Sequence, residues 1–300
     1  MAIQWFPGHM NQARKKVAET LAKVDVVIEV LDARLPRLSS NPMIETLRLG
    51  RQRPALKILN KTDLADPAVT KRWVQWFADQ PKTAVLMLDQ ANKLRDSKKI
   101  AALCLQLAPH RAGFEKPMRA LIAGIPNVGK STLINTLVRR KVADVADQPA
   151  VTKSQQRVEL PDGMVLIDTP GLMWPKIESM EAGLKIALSG AIGRNAYDAE
   201  EVATFALEWL AARYPQGLQQ RYKLEDCSGT GDELFERVAR RRGAMLPGGL
   251  IDRQKISELV LTDFRSGQLG RISLERPEDP PPMPDLVENP DIAPLDDDEA

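Results

Sequence analysis

Gly124-Ile-Pro-Asn-Val-Gly-Lys-Ser-Thr132 decides how this chain is read. Gly124, four further residues, then Gly129, Lys130 and Ser131 match the phosphate-loop pattern. Met118 to Ala123 just before it is a short apolar strand, and Thr132 to Leu137 just after has the spacing of a helix packed on a sheet. In that order the glycines let backbone N–H groups turn inward around phosphate oxygens, and the helix N-terminus adds partial positive charge. Asn127, Val128, Gly129, Lys130, Ser131 and Thr132 are the expected lining. Lys130 would reach the β/γ-phosphates, and the Ser131 hydroxyl would ligate Mg²⁺. The alternative is an accidental glycine-rich turn, which ordinary residue frequencies allow in about one chain of this length in a hundred. The flanking strand and helix weigh against it.

Upstream, Val24 to Leu31 is an apolar strand that runs into Asp32-Ala-Arg-Leu-Pro36. Ala55 to Leu59 is a second strand, running straight into Asn60-Lys61-Thr62-Asp63, and Thr83 to Leu88 is a third. Helical stretches fall at Asn11 to Lys23, Pro42 to Leu49, Pro67 to Ala78 and Asp96 to Leu107. Downstream, Gln155 to Leu160 and Met164 to Ile167 read as a hairpin over Pro161-Asp-Gly163, ending in Asp168-Thr-Pro-Gly171. Strands alternating with helices imply an α/β fold with a mostly parallel sheet covered on both faces, and ligands bind at the carboxyl ends of such strands.

From about Glu178 the strand pattern stops. Helices are expected at Glu178 to Leu188, Asp198 to Arg213, Gly231 to Arg242 and Asp252 to Ser266. The last 25 residues hold seven prolines and nine acidic residues against one basic, the composition of a disordered tail. The expected division is 1–176 for the nucleotide domain, 177–275 for an all-helical domain and 276–300 for the tail. The formal charge of +2 hides the split, since residues 1–275 carry about +10. A surplus of that size suits an anionic partner such as RNA, and is also seen on ordinary globular proteins. Cys104 and Cys227 fit neither a metal spacing nor a disulfide framework. No apolar run approaches the ~20 residues of a membrane span, and the amino terminus lacks signal-peptide character. A cytoplasmic protein without a membrane partner is expected.

Asn60-Lys61-Thr62-Asp63 has the form of a guanine reader. The Asp63 carboxylate can accept from the guanine N1–H and exocyclic amine, which adenine does not offer in that place. Asp168 would hold the Mg²⁺ water and the Gly171 N–H would meet the γ-phosphate, with Thr152 a candidate second Mg²⁺ ligand. Four-residue motifs are weak singly. At three strand ends beside a phosphate loop they favour GTP over ATP.

Their order is unusual, because the guanine reader precedes the phosphate loop. A circular permutation keeps such contacts while moving the chain ends. With Trp5-Phe-Pro-Gly-His-Met10, Asp32-Ala-Arg-Leu-Pro36, Asn60-Lys-Thr-Asp63, the phosphate loop, Asp168-Thr-Pro-Gly171 and Gly270-Arg-Ile-Ser273, residues 1–275 resemble the circularly permuted GTPases of the ribosome biogenesis GTPase A (YlqF) type. The resemblance implies a P-loop GTPase fold with permuted motif order and a C-terminal helical domain. It also implies GTP and GDP as ligands, action as a monomer in late maturation of the large ribosomal subunit, and contact between the helical domain and ribosomal RNA. Leu88 and Asp89 are carried over as base-contacting residues by position alone. Asn127 resembles the asparagine that lets some relatives use K⁺. The chain departs from the family at Pro149-Ala-Val-Thr152, where Pro-Gly-x-Thr is usual.

Leu172 stands where many GTPases place a water-orienting Gln, so slow unaided hydrolysis is expected. His9 is the candidate substitute implied by the resemblance; a structural or RNA-contacting role is the alternative. Arg237, Arg240, Arg241 and Arg242, with Lys223 and Arg253, are candidate phosphate contacts or a solvated helix face. Two other readings stay open at this point: a GTP-gated protein-binding module with incidental hydrolysis, and an ATP-dependent enzyme, against which Asp63 argues.

Overall fold

The computed structural model describes residues 8–111, 116–138, 156–169 and 179–280, with side chains from residue 15 onward. In chain order the elements are α1 (Gly8–Lys23), β1 (Val26–Asp32), α2 (Pro36–Ser39), α3 (Pro42–Gly50), β2 (Ala55–Asn60), α4 (Pro67–Ala78), β3 (Thr83–Met87), α5 (Lys93–Ser97), α6 (Lys99–Leu107), β4 (Arg119–Ala123), α7 (Lys130–Val138), β5 (Gln156–Glu159) and β6 (Val165–Asp168). Helices follow: α8 (Met180–Ser189), α9 (Ala199–Arg213), α10 (Pro215–Tyr222), α11 (Gly231–Arg241) and α12 (Arg253–Arg265).

The strands form one sheet in the order β3-β2-β1-β4-β6-β5, parallel except for the β5–β6 hairpin. β1 and β2 are buried along their whole length, as expected of strands covered on both faces. In space β1 lies between the guanine-motif strand β2 and the phosphate-loop strand β4, with β6 beyond β4. The chain therefore builds the guanine side of the sheet first and the phosphate side second, and the permuted order leaves the strand neighbours intact.

Charge is buried inside this sheet. Glu29 and Lys57 face each other in register on β1 and β2, and Lys57 Nζ donates to Glu29 at 2.5 Å and to Glu45 at 2.8 Å. The Asn41 N–H supplies Glu29 with a further bond at 2.7 Å. Such a network is tolerable because each charged group is paired.

Local chemistry explains most element ends. Asp66 caps α4 through the Ala68 and Val69 N–H groups, with Pro67 at its first position. Asp198 caps α9, and Thr230 with Glu233 forms a capping box on α11. One helix was expected from Asp96 to Leu107. Two are present, because the pattern starts three residues earlier and breaks at Lys98. Helix α10 has no counterpart in the sequence reading. Among the described residues no helix is long and apolar enough to cross a membrane.

The helical part is fastened to the sheet by its last residues. The Ile272 N–H donates to Leu64 O at 2.9 Å and the Leu274 N–H to Arg34 O at 2.6 Å. Arg271 holds Thr62 O and Ala65 O at 2.8 and 2.9 Å, bracketing the loop that carries Asp63. Residues 276–280, expected within the tail, are also engaged: Arg37 donates to the Pro277 and Asp279 carbonyls, and Arg72 pairs with Glu278. The tail boundary expected at 276 thus falls before residues that are bonded to the sheet domain; residues 281–300 lie outside the described residues.

Glu275 sits under this strap, buried, accepting from the Arg37 and Leu38 N–H groups. Burial pushes its carboxyl up to about 7, against the pull of those N–H groups and the Arg37 charge. The unfolded carboxyl ionises near 4.5, so between these values the folded state binds the proton more tightly. Stability from this group is then complete below pH 4.5 and is lost as pH rises to 7. Glu275→Gln is expected to remove that loss, about 3 kcal/mol at most from ~1.36 kcal/mol per pKa unit. Thermal melts of both proteins at pH 5 and pH 8 check it: the variant should gain relative to wild type only at the higher pH.

Candidate nucleotide site

The carboxyl ends of β1, β2 and β4 converge on one open cleft of about 1320 Å³. On one side lie Asn60, Lys61, Asp63, Gln90 and Lys93; Asn127, Gly129 and Thr132 form the floor. Ser189, Gly190, residues 192–196 and the end of α12, with Arg265, close the far wall.

The guanine and phosphate loops are bonded directly to each other. Asn60 Nδ2 donates to Val128 O at 2.6 Å, and Lys61 Nζ donates to Asn127 O at 2.8 Å. Lys61 holds a left-handed backbone, φ 60°, that points its ammonium back across the cleft. A Cβ on Gly129 would stand 2.3 Å from Asn60 Nδ2, and φ there is 95°. Only glycine allows that approach. A Cβ on Gly124 would likewise meet Val30 O at 2.7 Å.

Behind them sits Asp32, which accepts from Arg34 Nε at 2.9 Å, Arg34 Nη2 at 2.7 Å and Lys61 Nζ at 2.9 Å. Burial works to raise this carboxyl, but Arg34 and Lys61 overcome it and hold the group well below the usual range. Arg34 also donates to Ser189 O at 3.1 Å, so the same cluster reaches the C-terminal end of α8.

Asp63 is exposed, with one oxygen accepting the Gln90 N–H at 3.2 Å. At the phosphate end, Lys130 and Asp168 form a buried ion pair. Asp168 Oδ2 is buried with no hydrogen-bond partner among the described residues. Burial raises the Asp168 carboxyl, with Lys130 opposing. An orphaned carboxylate oxygen beside the phosphate loop is what a Mg²⁺ ion or its water would satisfy. The residues present thus fit the metal. Ser131 and Thr132 are half-buried at the start of α7.

The remaining expected residues are placed as follows. Leu88 is fully buried, its carbonyl taken by the Thr62 N–H and Oγ1 at 3.1 Å, and its side chain packs in the core. Asp89 is turned onto Asn92, accepting its N–H at 2.6 Å and Nδ2 at 3.0 Å. That loop lines the cleft through Gln90 and Lys93 instead. Val128 is buried and contributes its carbonyl to Asn60. Asn127 Nδ2 donates to Gly190 O at 2.8 Å, tying the phosphate loop to the end of α8. His9 lies in the first turn of α1, its side chain outside the described residues. Thr152, Gly171 and Leu172 also lie outside them.

Among the candidate RNA contacts, Arg237 pairs with Asp226 at 3.1 Å, Arg241 with Glu225 at 3.1 Å, and Arg253 with Glu200 at 2.6 Å. Arg242 lies over the Tyr222 ring, 5.6 Å from its centroid. Exposed pairs of this kind hold by about 1 kcal/mol or less, so a phosphate can displace the carboxylates.

Residues 119–226 match the family model described as 50S ribosome-binding GTPase. The chain is 43% identical over 288 residues to ribosome biogenesis GTPase A of Bacillus cereus, covering 93% of this chain and 95% of that protein. It is 35% identical over 300 residues to mitochondrial ribosome-associated GTPase 1 of Mus musculus, covering 91% and 90%. Its fold is similar to a GDP-bound YlqF structure, with a TM-score of 0.62 and 29% identity over 88% of this chain and 100% of that one. The GNP-bound YlqF of T. maritima gives 0.60 at the same identity. With near-complete coverage at this identity, and with the permuted sheet in place, the chain belongs to the ribosome biogenesis GTPase A family.

Proposed function

We propose that this protein binds GTP and GDP, hydrolyses GTP slowly by itself, and works in late maturation of the large ribosomal subunit, which accelerates the hydrolysis. One observation carries the reading. The Asn60–Asp63 loop and the phosphate loop are hydrogen-bonded to each other across one cleft, with Lys130 and Asp168 paired at its phosphate end. Lys61 would flank the base, Asp63 would take its N1–H and amine, and Gly129 with Lys130 would hold the phosphates. Ser131 and Asp168, with Thr152, would hold Mg²⁺, which neutralises phosphate charge when bound. K⁺ would enter through the amide oxygen of Asn127. Gly171 would meet the γ-phosphate. The helical part would contact ribosomal RNA with its surface arginines, and the factor would act as a cytoplasmic monomer.

The chain offers Leu172 where a polar water-orienting group is usual. His9, near the start of α1, is the group we assign to that task. Purified large subunits should therefore raise turnover at least tenfold over the isolated protein. His9→Ala should lower only the stimulated rate, leaving nucleotide affinity nearly unchanged, the mark of an interaction made in the transition state. A rate that large subunits leave unchanged would instead point to a GTP-gated module for a protein partner. Full stimulated rates in His9→Ala would place the water-orienting group elsewhere.

A further inference from the structure

Lys93 is the first residue of α5, at the guanine side of the cleft. It is only 9% exposed, and it has no hydrogen bond or close ion pair among the described residues. Its charged neighbours are Asp63, which attracts it, and Lys61, which repels it. Burial lowers its pKa, with Asp63 opposing and Lys61 adding to the effect. The side chain lines the open cleft, so its ammonium keeps contact with water and is free to donate to an acceptor on a ligand bound there.

The identity of that acceptor follows from the neighbouring groups. Asp63 is an acceptor only, and it suits the two donors on the guanine edge, N1–H and the exocyclic amine. The remaining atom on that edge is the carbonyl oxygen O6, which needs a donor. The Gln90 N–H, a backbone donor three residues before Lys93 in the same loop, is given to Asp63 at 3.2 Å. Lys93 shares the field of Asp63 and Lys61, whereas the phosphate-end pair is Lys130 with Asp168. It therefore stands at the base end of the cleft, on the side of Asp63.

We propose that Lys93 is a specificity-determining residue that donates to O6 of the bound guanine, so that base selection is shared between an acceptor, Asp63, and a donor, Lys93. The inference rests on the guanine-nucleotide reading given above. Adenine and 2-aminoadenine carry an amine at position 6, which would face the ammonium donor to donor. Asp63 reads positions 1 and 2; Lys93 reads position 6.

The two roles separate with three nucleotides. GDP has N1–H, O6 and the 2-amine; IDP keeps N1–H and O6 without the 2-amine; 2-aminoadenosine diphosphate keeps the 2-amine but has an unprotonated N1 and an amine at position 6. Affinities of wild type, Lys93→Met and Lys93→Arg are measured by equilibrium titration, with thermal melts to check folding. Lys93→Met should weaken GDP and IDP about tenfold and leave 2-aminoadenosine diphosphate unchanged or tighter; Lys93→Arg, which keeps a donor, should restore the preference. Equal loss for all three nucleotides, or no loss, overturns the proposal while leaving the guanine reading intact. A wild-type protein that binds ADP as tightly as GDP overturns both. If Lys93→Met does not fold, amine acylation of the wild type read by mass spectrometry decides. GDP and IDP should protect Lys93, and acylation as fast with GDP as without it overturns the assignment.

Discussion

Lys130→Ala is expected to lower affinity for GTP and GDP alike by about a hundredfold or more. On the proposed reading the Lys130 ammonium would be the side-chain cation of the phosphate loop at the β/γ-phosphates, and charge-assisted bonds to phosphate are among the strong ones. The structure adds a second effect. Lys130 is paired with Asp168, and Asp168 already has one buried oxygen without a partner among the described residues. Removing the lysine leaves a buried carboxylate uncompensated, which costs about 3–5 kcal/mol when the group stays charged. The nucleotide-free variant should therefore melt well below wild type, and Mg²⁺ should recover part of the loss. Titration with a fluorescent GDP analogue and melts with and without Mg²⁺ check both halves. A variant that keeps GDP affinity would mean that the loop does not hold phosphates through Lys130.

Asp63→Asn should weaken GDP by about a hundredfold, from the loss of about 3 kcal/mol of charge-assisted bonding to the base. The fold should be untouched, because Asp63 is exposed and its one described bond, from the Gln90 N–H, can pass to the Asn oxygen. Xanthine nucleotides carry a carbonyl in place of the 2-amine, and the Asn amide can donate to it. The variant should therefore favour XDP over GDP. Competition titrations with GDP, XDP and ADP separate this change of base preference from a general loss of binding. Unchanged GDP affinity would remove the basis for guanine recognition at this loop.

Much of this arrangement is legible in the sequence, because the signals that position it are local. Pro67 after Asp66 marks the start of α4, Pro161-Asp-Gly163 marks the hairpin, and the phosphate loop lies between an apolar strand and a helix. The permuted sheet follows from the order of three short motifs, each at a strand end. What escaped depends on contacts between distant residues. Helix α10 has Gly217 in its first turn and only Leu218 and Tyr222 as a buried apolar pair. The reason is tertiary, since a Cβ at Gly217 would stand 2.0 Å from Leu269 O. Lys93 was hidden because a helix begun at Asp96 leaves it in a loop, and nothing local says that it is buried beside Asp63. The partners of the α11 arginines, Asp226 and Glu225, precede the helix and come alongside it only on folding. Arg271 lies some 200 residues from the Thr62 and Ala65 carbonyls that it holds, so its part in shaping the guanine loop could only be seen in three dimensions.

Those long-range contacts give the nucleotide a route to the helical part. Asn127 in the phosphate loop bonds Gly190, Arg34 bonds Ser189, and Arg265 of α12 holds the Ala187 and Leu188 carbonyls. The end of α8 thus touches both the phosphate loop and the last helix. On the function proposed above, a nucleotide that shifts the phosphate loop would act on α8 and α12 through these bonds, and linkage would then require ribosome binding to alter GTP affinity by the same factor.

The most direct measurement is co-sedimentation of the full chain with purified large ribosomal subunits, comparing a non-hydrolysable GTP analogue with GDP at matched saturation. The protein should pellet with the subunits in the analogue and stay largely in the supernatant in GDP. Equal pelleting in both states, or none in either, would contradict it.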